Sequence, residues 1–185
     1  MTLQAGDALA LTGPNGVGKT SLLRVLAGLL QPEHGDIMLS PADPDTDHVT
    51  RVQFVSSREP LKAALTVRET LESWATVVFD ATSARVLATL SDYRLEALAN
   101  TPCGYLSSGQ RRRLSLARLG LASVDQRPLW LLDEPTNALD AAARALLTAR
   151  VTAHRCAGGM VIAATHDPLG WPDMTERALT PLLAS

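Results

Sequence analysis

The chain has 185 residues, 46% of them hydrophobic and 19% charged, a size and composition typical of one globular domain with a single core. Its 17 basic and 19 acidic residues give a net charge of −2, so no strong overall field attracts nucleic acid or an anionic membrane. Met1–Asp7 lacks the cationic and apolar stretches of a signal peptide. Apolar runs such as Leu129–Leu132 are far shorter than the roughly 18 residues that span a bilayer. We therefore expect a soluble protein that does not cross a membrane by itself.

The first part of the chain is predicted to form strands around one helix. The helix carries leucines on one face and is closed by Gly28 and Pro32. The strands are short apolar or alternating runs that are bounded by turn-forming residues. These elements are predicted over Ala8–Leu11 (strand), Lys19–Leu29 (helix), Gly35–Leu39 (strand) and Val52–Val55 (strand).

The rest of the chain divides into a helical region and a strand-helix-strand unit. Helices are predicted over Val67–Val78, Ser83–Leu90 and Gly109–Ala122. Buried parallel strands are predicted over Leu129–Leu132 and Met160–Ala164, with the helix Ala141–His154 between them. The expected fold is therefore α/β. A core with a parallel sheet, over residues 1–57 and 125–185, is interrupted by a small helical subdomain over 58–124.

A phosphate-binding loop lies between the first strand and the first helix. Gly13–Thr20 matches the pattern G-x-x-x-x-G-K-[ST] in full, and the flanking strand and helix are the context that this motif needs. The glycines let backbone N–H groups approach a phosphate, and the helix directs its positive end at the same anion. Lys19 adds a full charge, and the Thr20 hydroxyl is a ligand for Mg²⁺. The predicted nucleotide contacts in this segment are Gly13, Pro14, Asn15, Gly16, Val17, Gly18, Lys19, Thr20 and Ser21.

Two acids follow the buried strand Leu129–Leu132. Asp133 at the end of a strand beside a phosphate loop can hold Mg²⁺. Glu134 next to it can orient and deprotonate an attacking water. Strands often end in solvated acids, so Asp133 and Glu134 alone are weak evidence for a catalytic site. Together with the phosphate loop they become strong evidence.

A serine-glycine string opens the helix predicted over Gly109–Ala122. Ser107 and Gly109 offer a hydroxyl, free N–H groups and a helix dipole to an anion. The same residues equally suit an ordinary helix N-cap, and the string alone does not separate the two alternatives.

Five segments in chain order resemble the ABC ATPase family of P-loop NTPases. They are Gly13–Thr20, Leu106–Gln110, Leu129–Glu134, Asn137–Asp140 and Ala164–His166. The resemblance implies Mg-ATP as ligand and a head-to-tail pair of such chains, with each ATP between one phosphate loop and the other copy's serine-glycine string.

The resemblance also implies roles for single residues. Ser107, Gly109 and Gln110 would contact the ATP bound by the other copy, and Asp140 would belong to a loop that couples the two sites. Glu134 would be the catalytic base, Asp133 the magnesium contact, and His166 a contact to the γ-phosphate. Without the resemblance, a histidine after a strand is more often structural, and the other histidines are interpreted as structural or surface residues.

A narrower resemblance is to the ATP-binding subunits of cytochrome c maturation, the CcmA type, which are described as haem-exporter ATPases. It rests on segments such as Thr20–Leu30, Leu65–Leu71, Tyr105–Arg118 and Gly158–His166. It implies membrane subunits of CcmB and CcmC type as partners, a bacterial source, and a peripheral location on the cytoplasmic face of the inner membrane. ATPases of other ABC exporters, for example for drugs or lipids, share most of these residues.

Three positions depart from the general family pattern. Ser108 replaces the first glycine of the signature, and Ser57 stands where the family has a glutamine, although haem-type members often lack it as well. The chain starts close before Gly13, so the family's earlier strand and its adenine-stacking aromatic residue are expected to be missing.

Two other classes of function stay open. A soluble ABC protein that acts on ribosomes or DNA usually has two cassettes or a long coiled-coil insertion, and this sequence has neither. A regulatory subunit without hydrolysis is disfavoured by the presence of Lys19, Asp133, Glu134 and His166. Arg111–Arg113 is interpreted as a solvated stripe of a helix rather than a nucleic-acid site.

Overall fold

The computed structural model describes residues 1–40, 47–58 and 61–180. Its strands are β1 (Ala8–Thr12), β2 (Val52–Val55), β3 (Leu129–Asp133), β4 (Met160–Ala164) and β5 (Met174–Ala178). They form one parallel sheet in the order β2-β3-β4-β1-β5. The helices are α1 (Lys19–Leu26), α2 (Val67–Trp74), α3 (Ser83–Asp92), α4 (Ser108–Ala117) and α5 (Ala141–Cys156). The predicted α/β class with a parallel sheet is confirmed.

The chain folds as two compact units. The first comprises residues 1–57, 124–135 and 148–185, and the second comprises residues 58–123 and 136–147. Residues 136–147, which the sequence places with the sheet, lie in the second unit. The physical reason is close packing between α4 and the segment before α5, where a Cβ on Gly109 would lie 2.8 Å from the Ala138 carbonyl oxygen. That approach leaves no space for a side chain at position 109.

The first unit is built on the inner strands of the sheet. Every residue of β3 is buried, as are four of the five residues of β4, in keeping with parallel strands that are covered on both faces. The core cluster draws on β1, α1, β3 and β4. It includes Leu9, Leu11, Leu23, Leu131 and Ile162, each no more than 6% exposed.

The second unit is helical, and its helices begin at defined caps. Thr66 and Glu69 form a capping box on α2, in which Thr66 N donates to Glu69 Oε2 at 2.7 Å and Glu69 N donates to Thr66 Oγ1 at 3.2 Å. The hydrogen bonds that the N–H and the hydroxyl of Thr66 donate to the Glu69 carboxylate lower the pKa of that carboxyl. Thr82 accepts a hydrogen bond from Arg85 N at the start of α3. In the described ranges no helix is long and apolar enough to cross a membrane.

Helix α1 ends earlier than the predicted Leu29. Gly28 has φ +70°, and the N–H groups of Gly28 and Leu29 donate to the carbonyls of Val25 and Arg24. This pair of hydrogen bonds is a Schellman motif, which closes a helix around a left-handed glycine. The glycine therefore stops α1 at Leu26, and Leu30 beyond it is 45% exposed.

Two predicted helices change pitch near their ends. The helix predicted over Val67–Val78 is α-helical only to Trp74 and continues as a π turn over Ala75–Phe79. The β-branched run Thr76–Val78 in this turn is a poor α-helix former. Helix α4 similarly gives way to a 3-10 turn at Arg118–Gly120.

The strand predicted over Gly35–Leu39 is wrong. These residues are all described, and they pair with no strand of the sheet. Gly35 has φ +88° and Met38 is 91% exposed, so the apolar run does not pack as a strand would. The sequence reasoning also missed β5, which is mostly exposed and polar and therefore carries no hydrophobic signal.

A buried histidine, His154, packs against strand β3 of the first unit. The His154 ring stacks on Trp130, with ring centroids 3.8 Å apart and planes at 12°, and His154 Nε2 lies 3.2 Å from the Pro128 carbonyl oxygen. Burial, which disfavours the charged ring, lowers the pKa of His154 from 6.5 to about 4. His154 is therefore neutral in the folded protein near neutral pH.

We expect His154 to make the protein acid-sensitive. The unfolded chain binds a proton at His154 below pH 6.5 but the folded chain does so only near pH 4, so the free energy of unfolding falls by about 3 kcal/mol across that interval. His154→Gln should remove this part of the pH dependence, measured by urea unfolding at a series of pH values. His34→Gln, at an exposed histidine, is the matched control and should leave the dependence unchanged. Equal pH profiles for wild type and His154→Gln would contradict the assignment.

Candidate active site

The predicted site residues of the first unit meet at one edge of its sheet. β1, β3 and β4 are parallel neighbours, with Leu11 and Asp133 both in register with Ala164. The carboxyl ends of these strands therefore lie together, and this edge is where parallel α/β sheets bind ligands. The phosphate loop follows β1, Asp133 and Glu134 end and follow β3, and His166 follows β4.

The loop Gly13–Thr20 has the backbone shape of an anion cradle. Gly13, Gly16 and Gly18 have φ of +133°, +81° and +104°, which residues with side chains rarely adopt. A Cβ on Gly13 would lie 2.6 Å from the Leu179 carbonyl oxygen, whereas Cβ atoms on Gly16 and Gly18 would meet nothing within 4 Å. The space in front of the last two glycines is therefore open to a ligand.

Helix α1 presents its N-terminus to the same space. Its N-cap is Gly18, and no side chain of the described residues caps it, so the N–H groups of its first turn are available to an anion. Ser21 is exposed in that first turn, and Pro14 and Asn15 are exposed in the loop. Val17 N donates to the Pro14 carbonyl at 3.4 Å and closes the turn between them.

Lys19 is almost buried, at 7% exposure. Its Nζ atom donates to the carbonyl oxygens of Gly13 at 2.6 Å and Pro14 at 3.2 Å. The loop's own carbonyls thus hold the ammonium group within the cradle, where it adds a full positive charge to the dipole of α1.

Thr20 and Asp133 form the pair that suits a divalent cation. Thr20 Oγ1 lies 3.1 and 3.2 Å from the two carboxylate oxygens of Asp133, and Asp133 is 2% exposed. A hydroxyl and a buried carboxylate are oxygen donors of the kind that Mg²⁺ prefers. No group of three or more His, Cys, Asp and Glu residues that could hold a metal occurs in the described part of the chain. A magnesium ion here fits only if the nucleotide and water complete its ligands.

Glu134 and His166 form the second pair at this edge. His166 Nδ1 lies 2.8 Å from Glu134 Oε2, and His166 Nε2 lies 3.8 Å from a carboxylate oxygen of Asp167. The hydrogen bond and negative charge of Glu134, with a smaller contribution from Asp167, raise the pKa of His166. Glu134 adopts φ +47°, and its N–H donates to the Ala164 carbonyl at 2.8 Å. A non-glycine residue in the left-handed region is strained, and such strain is concentrated at functional sites.

The serine-glycine string of the second unit begins α4. Ser107 Oγ accepts a hydrogen bond from Gln110 N at 3.2 Å, and Gln110 Oε1 accepts one from Ser107 N at 2.8 Å. The N-cap alternative is therefore realised in this structure. It does not exclude a ligand, since a hydroxyl that accepts from N–H can still donate its own proton.

The remaining predicted residues lie in the same unit or just after β2. Asp140 Oδ1 accepts from Ala143 N at 2.7 Å and caps α5. Ser57 is exposed two residues after the end of β2. The sequence did not reveal that the Glu134 N–H donates to the Ala164 carbonyl, or that Gly13 and Gly109 lie close to the carbonyls of Leu179 and Ala138. Backbone groups leave no residue-specific signal.

Comparison with known families decides the classification. The sequence profile described as ABC transporter matches residues 1–137. The chain belongs to the ABC transporter ATPase family. Curated relatives of this ABC ATPase include the cytochrome c biogenesis ATP-binding export protein CcmA of Nitrobacter winogradskyi, which is 48% identical over 90% of this chain and 82% of its own length. The protein of the same name from Rhizobium meliloti is 44% identical over 96% of this chain and 86% of its own length.

Solved structures agree with this ABC ATPase fold. A bacterial ABC transporter cassette solved as a dimer superposes with a TM-score of 0.79 at 26% identity, over 97% of this chain and 83% of its own. An ABC transporter ATP-binding protein from Pyrococcus furiosus gives a TM-score of 0.81 at 24% identity, over 97% and 87%. The expected family and fold are confirmed.

Proposed function

We propose that this ABC ATPase hydrolyses Mg-ATP as the energy-supplying subunit of a membrane complex for cytochrome c biogenesis. One observation supports the hydrolytic site above all others. The phosphate loop, the Thr20–Asp133 pair and the Glu134–His166 pair lie at one edge of the sheet, on three neighbouring strands. We also propose that the two compact units work as one ATPase domain.

ATP binding is assigned to the phosphate loop. The open space before Gly16 and Gly18, the uncapped start of α1 and the Lys19 ammonium together provide backbone donors and positive charge for a triphosphate. Magnesium, held by Thr20 and Asp133, would neutralise negative charge on the phosphates.

Hydrolysis is assigned to Glu134 and His166. Glu134 accepts the proton of the attacking water, and its hydrogen bond with His166 orients the Glu134 carboxylate. His166, which carries more positive charge because its pKa is raised, is to donate a hydrogen bond to the γ-phosphate. The His166 side chain is 51% exposed, so a ligand can reach its ring.

The site is proposed to be completed by a second copy of the chain. We assign Ser107 and Gly109 of one copy to the γ-phosphate of the ATP held by the other copy, with Gln110 as a further nucleotide contact. Asp140 is assigned to the loop that couples the two sites. The N-terminus of α4 offers the required donors. The likeness to a cassette that forms a dimer supports this arrangement.

The cellular role is proposed from the curated relatives. Proteins named for cytochrome c biogenesis and export are 42–48% identical to most of this chain. We therefore assign the chain to the cytoplasmic face of a bacterial inner membrane, with CcmB- and CcmC-type subunits as partners and haem handling as the process. An ATPase of another ABC exporter is the alternative.

A mixing experiment tests the shared site. Ser107→Arg and Glu134→Gln should each be nearly inactive alone, because each spoils both sites of its own dimer. Their mixture should recover part of the wild-type ATPase rate, since one site of the mixed dimer lacks both changes. The wild-type rate should rise more steeply than linearly with protein concentration. Strict proportionality together with no recovery would exclude a shared site.

A genetic experiment tests the pathway. A bacterium that lacks its own cytochrome c biogenesis ATPase should regain haem-stained c-type cytochromes when it expresses this chain, and should not regain them with Glu134→Gln. Expression of both proteins at equal levels is the control. Failure of the wild-type chain, when a CcmA relative restores the cytochromes in the same strain, would favour a different exporter.

A further inference from the structure

Tyr105 is the one large aromatic side chain that the protein leaves in solvent. The sequence has seven Phe, Trp and Tyr residues, all within the described ranges. Four are buried, and Phe54 and Trp74 are half-buried, whereas Tyr105 is 84% exposed. The exposed ring of Tyr105 is available to a ligand or a partner, and aromatic rings can stack on nucleotide bases.

The backbone around Tyr105 is firmly held. Cys103 N donates to the Leu65 carbonyl at 2.8 Å and Gly104 N donates to the Ala63 carbonyl at 3.0 Å. On either side of the tyrosine, Cys103 is 1% exposed and Leu106 is 3% exposed. Tyr105 is thus the outward-facing residue of a fixed turn rather than part of a loose loop.

This turn leads directly into the string that is proposed to bind ATP of the other copy. Leu106 and Ser107 are extended, with ψ of 142° and 165°, and Ser107 caps α4. Tyr105 therefore stands two extended residues, about 7 Å along the chain, from the proposed γ-phosphate contact. In ATP the adenine base is separated from the γ-phosphate by two phosphates and a ribose. If Ser107 contacts the γ-phosphate, a residue that contacts the adenine must therefore lie some distance away from Ser107, as Tyr105 does.

We propose that Tyr105 of one copy stacks on the adenine base of the ATP bound by the phosphate loop of the other copy. This inference rests on the proposed nucleotide-sharing dimer and adds a base contact in trans to it. An aromatic ring stacked on a base contributes roughly a five- to hundredfold gain in affinity.

The affinity test uses the Glu134→Gln background, in which ATP is not consumed. Tyr105→Ala should raise the ATP concentration that half-maximally forms the dimer, measured by light scattering, by roughly five- to a hundredfold. Tyr105→Phe, which keeps the ring, should behave like its parent. ATP binding to the single chain, measured by calorimetry in a Ser107→Arg background, should not change with Tyr105→Ala.

Each other outcome overturns the inference. If Tyr105→Phe loses as much as Tyr105→Ala, the hydroxyl and not the ring is responsible. If Tyr105→Ala weakens ATP binding to the single chain equally, the residue acts in its own chain or through folding. If Tyr105→Ala dimerises like its parent but no longer co-purifies with the membrane subunits, Tyr105 belongs to that interface. Absence of any ATP-dependent dimer in the Glu134→Gln parent would instead refute the proposed dimer, and the base contact with it.

A photolabelling experiment locates the contact. One chain carries Ser107→Arg and Glu134→Gln, so it binds nucleotide but offers no intact signature. Its partner carries Lys19→Ala, so it offers the signature but binds nucleotide poorly. With 8-azido-ATP, we expect label on the tryptic peptide of the Lys19→Ala chain that contains Tyr105, and loss of that label when this chain also carries Tyr105→Ala. Label confined to the nucleotide-binding chain would overturn the inference.

Discussion

Glu134→Gln is expected to lower the ATPase rate by about 10²- to 10⁴-fold, the range for loss of a general base, while leaving ATP binding intact. The amide has the size of the carboxylate and its oxygen can still accept the hydrogen bond from His166, but it cannot take a proton from water. With hydrolysis stopped, ATP should hold the chain as a dimer. Phosphate release and light scattering with ATP measure the two effects.

The same variant should change His166 in a predictable direction. The raised pKa of His166 depends first on its hydrogen bond and charge interaction with Glu134, so removal of the charge should lower the pKa toward its ordinary value. An NMR titration of the imidazole reports this shift. Asp167→Asn is the matched comparison: this half-exposed acid lies 3.8 Å from His166 and contributes less than Glu134 to the raised pKa, so its replacement should lower that pKa by a smaller amount. Near wild-type hydrolysis by Glu134→Gln would rule out Glu134 as the base.

Lys19→Ala is expected to abolish tight ATP binding. The variant removes the only side-chain cation of the phosphate loop, and charged hydrogen bonds contribute about 1.5–3 kcal/mol each, which corresponds to roughly a ten- to hundredfold loss of affinity per bond. The loss should exceed one bond, since Lys19 also holds the carbonyls of Gly13 and Pro14. Isothermal calorimetry with Mg-ATP measures the affinity.

The chain offers a matched control for Lys19→Ala in its other lysine. Lys62 is exposed in the second unit, and Lys62→Ala should bind ATP like the wild type. Thermal unfolding without nucleotide checks that Lys19→Ala is folded. A folded Lys19→Ala protein with wild-type affinity would show that the triphosphate does not bind at this loop.

The sequence alone was sufficient for the phosphate loop and the buried strands, whose signals lie in consecutive residues. A phosphate loop binds phosphate through neighbouring backbone N–H groups and one lysine. All of these groups lie within Gly13–Thr20, so the sequence predicts the binding directly. The buried strands β3 and β4 are apolar runs because both of their faces are covered. The order of the short motifs then identified the family, which the comparisons confirmed.

Only the tertiary structure decided which distant residues act as pairs. Thr20 meets Asp133 across 113 positions, and Glu134 meets His166 across 32, because the strand order β3-β4-β1 brings three carboxyl ends together. Residues 136–147 belong to the helical unit and not to the sheet unit. Their close packing against α4 is seen where Gly109 approaches the Ala138 carbonyl. Edge strand β5 escaped prediction because an exposed strand needs no apolar face and is defined instead by its hydrogen bonds to β1. The outward position of Tyr105 likewise follows from the burial of Cys103 and Leu106 beside it, since a side chain's exposure depends on what the rest of the fold covers.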